Sequence, residues 1–387
     1  MVLHSLIKKK EMRILFRNAI KILNIFGIDV ELDISWFLVF FLFSFTLSRH
    51  YYPQMLPETE DTLHWILGIS TTILVFISVL IHELAHSLMA IKEGIPINKI
   101  TLFIFGGVAQ MKKEPELPAA ELKITVVGPL SSLVLSAMFG IIYLVLPRGI
   151  PISEGVWFLA RMNLLVGILN LIPAFPLDGG RLLRAFLWLW KGNLLNATRI
   201  AVLAGSYFAF FAMGIGFVML FMAGTVWGLW YIFLGWLLYQ AGQSSYSQVA
   251  LKESLSGIKV KDVMSEQVQV VNIGMSIEEL IEEFYRYKFG AFPVMEDSNL
   301  KGLITMNRLK DIPKSQWART EVGEVMVPLE HCLIVHPDSE AVEAMMKMAS
   351  EGAGRALVVQ EDRLTGILSN TDMMRVIKIK TMFGSLD

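Results

Sequence analysis

From Trp65 to Ile81 the chain carries no ionisable residue, and this run leads directly into His82-Glu83-Leu84-Ala85-His86. A stretch of that length and apolarity reads as a membrane-crossing helix, which leaves two histidines and a glutamate at its end or inside it. On a helix, His82 and His86 leave the same face one turn apart, with Glu83 beside them. Ionisable groups at that depth are costly to bury and mark a functional site with partners close by. A pair of core histidines satisfied by backbone carbonyls is the plainer alternative.

Hydrophobic residues fill 54% of the 387 positions and charged ones only 18%, the balance of a polytopic α-helical membrane protein. Six transmembrane helices are expected, at about 34–48, 64–91, 122–146, 156–172, 200–222 and 227–241. Residues 1–33 read as an N-terminal arm with Lys8 to Lys10, closing in a short surface strand over 28–33. Residues 99–111 are too short to span and are broken by Gly106-Gly107; a membrane-associated β-hairpin, a re-entrant loop or an ordinary surface hairpin would fit. Lysine and arginine gather in the arm, in 92–123, in 181–199 and in the C-terminal part, whereas the other three loops hold only Arg49 and Arg148. By the positive-inside rule both termini are then cytoplasmic, in a plasma-membrane protein. The net charge of −1 gives no field that would draw nucleic acid, and the single Cys332 excludes a disulfide framework.

The His-x-x-x-His spacing with an intervening glutamate is that of zinc hydrolases, in which the imidazoles hold the metal and the glutamate reaches a water. Catalytic zinc takes a third protein ligand, and Asp178 is the best placed: it follows the fourth span, on the side where the second span ends, and Gly179-Gly180 permits a close backbone approach. Glu83 can serve as general base and acid. Asn170, just before the turn at Pro173, can hydrogen-bond a substrate carbonyl. The competing readings are a helix cap or a partner for Arg181 in the case of Asp178, and an interhelical hydrogen bond in the case of Asn170.

His82-Glu83-Leu84-Ala85-His86, taken with Asn170-Leu171-Ile172-Pro173-Ala174-Phe175-Pro176-Leu177-Asp178-Gly179-Gly180-Arg181, resembles the site-2 protease family of intramembrane zinc metalloproteases over about residues 12–240. Gly106-Gly107 and Gly128-Pro129 fall where that family has its membrane-embedded loop and its third core helix. The resemblance implies one Zn2+ on His82, His86 and Asp178, Glu83 as catalytic base, and Asn170 near the scissile carbonyl. It also implies, as substrate, a single-span membrane protein whose helix is locally unwound. Ser131 and Ser132 stand where the family often has asparagine, and only a short loop separates spans two and three, leaving no room for a PDZ domain.

From Ser244 the chain turns polar and repeats itself. Lys261-Asp262-Val263-Met264 is echoed by Gly323-Glu324-Val325-Met326, and Lys301-Gly302-Leu303-Ile304-Thr305 by Thr365-Gly366-Ile367-Leu368-Ser369. Each unit reads strand, helix, strand, turn, strand, helix, and the two resemble a tandem α/β CBS pair in the cytoplasm. That family's pairs commonly bind adenine nucleotide (ATP, ADP or AMP), which implies a ligand at Ser369 and Asp372; in the first unit Thr305 is followed by Arg308, so the acidic partner is missing. A purely structural module, or one that makes homodimers, is the alternative.

The expected organisation is an arm and strand (1–33), a six-helix metalloprotease domain (34–241), a linker (242–257) and CBS repeats over 258–315 and 316–380. The alternative function is a CBS-regulated transporter or channel handling metal ions. That reading gives Glu83 no task as a non-ligand, and the six spans show no inverted repeat.

Overall fold

The computed structural model describes residues 19–104, 106–147, 149–310 and 312–383. Lys8 to Lys10 of the arm and Arg148, used in the orientation argument, lie outside them. The described chain divides into two compact units, 1–249 and 250–387.

The first unit opens with a four-stranded sheet. β1 (Ile20–Ile25) and β2 (Ile28–Leu32) form a hairpin, and β3 (Ile97–Phe103) and β4 (Gly106–Met111) form another, in the order β1-β2-β3-β4. The strand expected over 28–33 is therefore β2, and residues 99–111 are a hairpin. The parallel pairing of β2 with β3 joins segments separated by all the helices between Ile34 and Lys92. Local alternation carries no sign of such a pairing. The sheet is a shelf against the second helix: Ile28, Leu32, Ile100 and Leu102 bury themselves against Val79, Leu80 and Leu84.

Among the described residues, four helices are long and apolar enough to cross a membrane. They are α2 (Asp61–Lys92), α3 (Pro118–Val145), α4 (Pro151–Leu171) and α6 (Leu194–Phe221), and with the relatives below they make the chain a membrane protein. Each begins before an expected span and ends within one residue of its end. α3 and α4 begin at a proline, whose missing N–H costs nothing in the first helical turn. α3 continues through Pro129.

The expected first and sixth spans are helical but fall outside this set. α1 (Ile34–Thr46), capped by Asp33 through the Ser35 N–H, passes after 13 residues into a π-helical turn, Leu47–Tyr51. α7 (Trp227–Leu255) carries Trp227, Trp230, Tyr231, Trp236 and Gln240, which lower its mean hydropathy, and it continues as helix through the residues read as a linker. Its first half lies against α6 with backbone close to backbone. A Cβ at Gly228 would meet Gly216 and Leu220, and one at Gly235 would meet Ala209 and Met213. Small residues at such crossings let membrane helices approach closely. Between α4 and α6 runs α5 (Asp178–Lys191), an amphipathic helix ended by Gly192 at φ 68°.

The second unit holds the two repeats. In the first, β5 (Val271–Asn272), α8 (Ile277–Tyr287), β6 (Ala291–Glu296) and β7 (Asn299–Thr305) bury Ile277, Leu280, Phe292 and Ile304. In the second, β9 (Ile334–Val335), α9 (Ala341–Glu351), β10 (Arg355–Gln360) and β11 (Arg363–Ser369) bury Val335, Ala341, Met348 and Leu368; β8 (Val327–Pro328) pairs with β7. Both hairpins close on two residues with positive φ, Asp297-Ser298 and Glu361-Asp362, the geometry that follows strand twist. The repeats differ at their ends. The second closes with α10 (Asn370–Phe383), whereas the helix expected after β7 is a four-residue 3-10 turn, Met306–Leu309, with Pro313 soon after to prevent continuation.

Candidate metal centre

The last turns of α2 hold His82 and His86, and α5 begins on Asp178. The fold brings these three together. His82 Nε2 and His86 Nε2 each lie 3.1 Å from Asp178 Oδ2 and 3.2 Å from one another. Both imidazoles are buried at 5% exposure, and the carboxylate is largely covered.

Each outer ring nitrogen is engaged. His86 Nδ1 lies 2.7 Å from the Ile124 carbonyl of α3. A carbonyl only accepts, so Nδ1 carries a proton, and Nε2 is the nitrogen turned towards Asp178 and available to a metal. His82 Nδ1 lies 2.9 Å from Ser132 Oγ, one helical turn beyond Gly128 on α3. Such outer partners fix the tautomer and aim of metal-binding imidazoles. With unprotonated inner nitrogens, two imidazoles and a carboxylate oxygen at this spacing present converging lone pairs that suit a cation among them. Donor atoms around a tetrahedral zinc stand about 3.3–3.5 Å apart, a few tenths of an ångström from the spacings found here, so this donor set fits zinc.

Glu83 takes its place from the sheet. A Cβ at Gly107 would run into the Glu83 side chain, so the glutamate lies directly against the backbone of β4. The second glycine expected to break a helix instead leaves room for the glutamate beside the edge strand. Asn170 is half-buried near the end of α4, seven residues after Asn163. Asn163 is the residue whose amide ties helices together, donating to Ser78 Oγ at 3.2 Å and to the Leu159 carbonyl at 2.9 Å.

The turn from α4 to Asp178 is packed against glycine. Cβ atoms at Gly179, Gly180 and Gly205 would all collide with backbone between Leu171 and Phe175. Asp178 is thus the first residue of a helix rather than the last of a span. Ser132 and the Ile124 carbonyl escaped sequence reasoning. Ser131 and Ser132 are indistinguishable by type, and Ser131 spends its hydroxyl on the Gly128 carbonyl at 2.7 Å. The buried face of α3 was the available signal.

In the second unit Ser369 and Asp372 meet at the start of α10. The Ser369 N–H donates to Asp372 Oδ2 at 3.0 Å, its hydroxyl donates at 2.5 Å, and the Asp372 N–H returns a bond to Ser369 Oγ at 3.2 Å. They line a cavity of about 380 Å³ between the repeats, together with Arg355, Arg375, Tyr287 and Phe289. Burial lowers the pKa of Arg355, against the opposing pull of Asp372.

Gly128 is the most exacting position in the centre, because a Cβ there would overlap the His86 ring at Nε2. Gly128→Ala is therefore expected to weaken zinc binding about tenfold or more while the helix content stays. Chelator competition and circular dichroism of the purified protein would check both.

The family model described as Peptidase family M50 matches residues 70–151 and 148–214, and the CBS domain model matches 260–314 and 322–379. A zinc metalloprotease of Methanocaldococcus jannaschii is 32% identical over 365 residues, 93% of this chain and 96% of its own length. The Rip3 protein of Mycobacterium tuberculosis, assigned by name to the zinc metalloproteases, is 32% identical over 94% of both chains. The solved site-2 protease from Methanocaldococcus jannaschii is 32% identical, covering 59% of this chain and 95% of that one with a TM-score of 0.40. The relatives that span the chain carry the assignment and leave the transporter alternative without support. This chain belongs to peptidase family M50, the site-2 protease family of zinc metalloproteases, with a tandem pair of CBS domains following the protease part.

Proposed function

We propose that the chain is an intramembrane zinc endopeptidase that cuts a peptide bond within or near the transmembrane helix of a single-span membrane protein, in regulated intramembrane proteolysis. The observation that carries this reading is the convergence of His82, His86 and Asp178 to hydrogen-bond spacing at the ends of an apolar helix and its neighbour.

His82, His86 and Asp178 would hold one zinc per chain, which when bound would supply Lewis acidity towards a water and the scissile carbonyl. Glu83 takes the proton of the attacking water on its carboxylate and passes it to the leaving amide nitrogen. Its carboxylate faces the glycine backbone of β4, the free edge of the sheet. A helical peptide bond is shielded by its own hydrogen bonds, so the substrate must unwind; pairing as a strand on the β4 edge would satisfy the freed backbone groups beside Glu83. The Asn170 amide, on the chain leading into the metal turn, donates to the substrate carbonyl.

In this reading α1 and the first half of α7 complete a six-span bundle in the plasma membrane, with both termini in the cytoplasm. The close glycine crossing between α6 and α7 supports the sixth span. Adenine nucleotide binds between the CBS repeats and gates the protease, and the CBS modules provide a route to homodimers. Arg355 and Arg375 suit phosphates, Asp372 a ribose hydroxyl, and the rings of Tyr287 and Phe289 an adenine face.

Two experiments follow. Glu83→Gln should keep its zinc yet cut a panel of single-span proteins at least about 100-fold more slowly, whereas Asp178→Ala should lose the metal itself; a Glu83→Gln protein with wild-type cleavage would remove the base. Calorimetric titration of the full chain with ATP, ADP and AMP should show heat with at least one of them, and Asp372→Ala should weaken that binding about tenfold or more. Absence of heat with all three would remove the nucleotide.

A further inference from the structure

Glu121 and Arg184 form a buried ion pair that the metal chemistry does not use. Glu121 lies on α3 at 1% exposure and Arg184 on α5 at 8%. Arg184 Nε donates to Glu121 Oε1 at 2.9 Å, and its Nη2 reaches the same oxygen. Arg181 Nε approaches that oxygen to 3.9 Å. On its other side the Arg184 guanidinium lies over the ring of Phe175, 5.1 Å from the centroid. Phe175 itself is packed into the backbone-tight turn before Asp178.

The two helices joined in this way are the ones that determine the centre. Glu121 stands one turn before Ile124, whose carbonyl fixes the His86 ring, and Arg184 stands on the helix that starts at Asp178. Among the described residues, the side-chain hydrogen bonds and ion pairs that join α3 to α5 all run through Glu121, so this pair is the polar tie that sets their sliding register. A shift of one helix along the other would carry the carboxylate away from the imidazoles. We infer that Glu121 and Arg184 are a positioning pair, which sets the register of α5 on α3 and thereby holds Asp178 at ligand distance from His82 and His86.

A pair serving only as cement for the fold would behave differently. Buried ion pairs can often be exchanged for apolar residues of similar volume without loss of stability, so a double variant separates the two roles. The full-length protein carrying Glu121→Leu with Arg184→Met, along with Arg184→Lys and Arg184→Met alone, would be stripped of metal. Its unfolding temperature and its zinc affinity, by competition with a chromophoric chelator, would then be compared with those of the wild type. The double variant is expected to unfold within a few degrees of the wild type and to bind zinc about 10–100-fold more weakly. Arg184→Lys, which keeps the charge but loses the paired donors, should fall between. If Arg184→Met does not accumulate, the double and lysine variants carry the same comparison. Wild-type zinc affinity in the double variant would overturn the inference, as would an affinity loss in proportion to a lowered unfolding temperature.

Discussion

The structure depends on three electron-rich atoms being forced together where water cannot screen them. Two imidazole nitrogens and one carboxylate oxygen sit within 3.2 Å of each other, among apolar helices. His86 Nδ1 is committed to a carbonyl, which leaves Nε2 as the atom turned towards Asp178. A metal ion among them would turn that crowding into attraction, and in a low-dielectric setting the attraction would be correspondingly strong. A site built to hold a metal in this way needs its supports to be rigid.

Rigidity comes from places where a side chain would not fit. Gly128 lets α3 reach the His86 ring, Gly107 lets β4 reach Glu83, and Gly179, Gly180 and Gly205 let the Asp178 turn nest against its neighbours. Close packing of this sort leaves few alternative arrangements. Polar ties then fix what packing leaves free: Ser132 on His82, the Ile124 carbonyl on His86, and the Glu121–Arg184 pair between α3 and α5. The same helix, α3, supplies the carbonyl, the hydroxyl and the glutamate, which makes it the frame on which the ligands from α2 and α5 are aligned.

Much of this was legible in the residues. The uncharged run into His82-Glu83-x-x-His86 indicated a helix with a metal motif at its end, and Asp178 beside two glycines was the acid best placed to join it. The echo of Lys301-to-Thr305 in Thr365-to-Ser369 marked the two repeats. What could not be read were interactions without a local pattern. The parallel pairing of β2 with β3 spans the helices between Ile34 and Lys92, and the choice of Ser132 over Ser131 turns on about 100° of helical rotation. The partnership of Glu121 with Arg184 lies across 63 residues. The first and sixth spans were expected from apolar runs, but a π turn interrupts one and tryptophan, tyrosine and glutamine dilute the other.

X-ray absorption at the zinc edge on the purified full-length protein addresses the metal cluster directly. The account predicts one zinc per chain surrounded by two imidazole nitrogens and oxygen donors at about 2.0–2.2 Å, with no sulfur. A spectrum without imidazole scattering, or one unchanged when His82 and His86 are replaced, would contradict it.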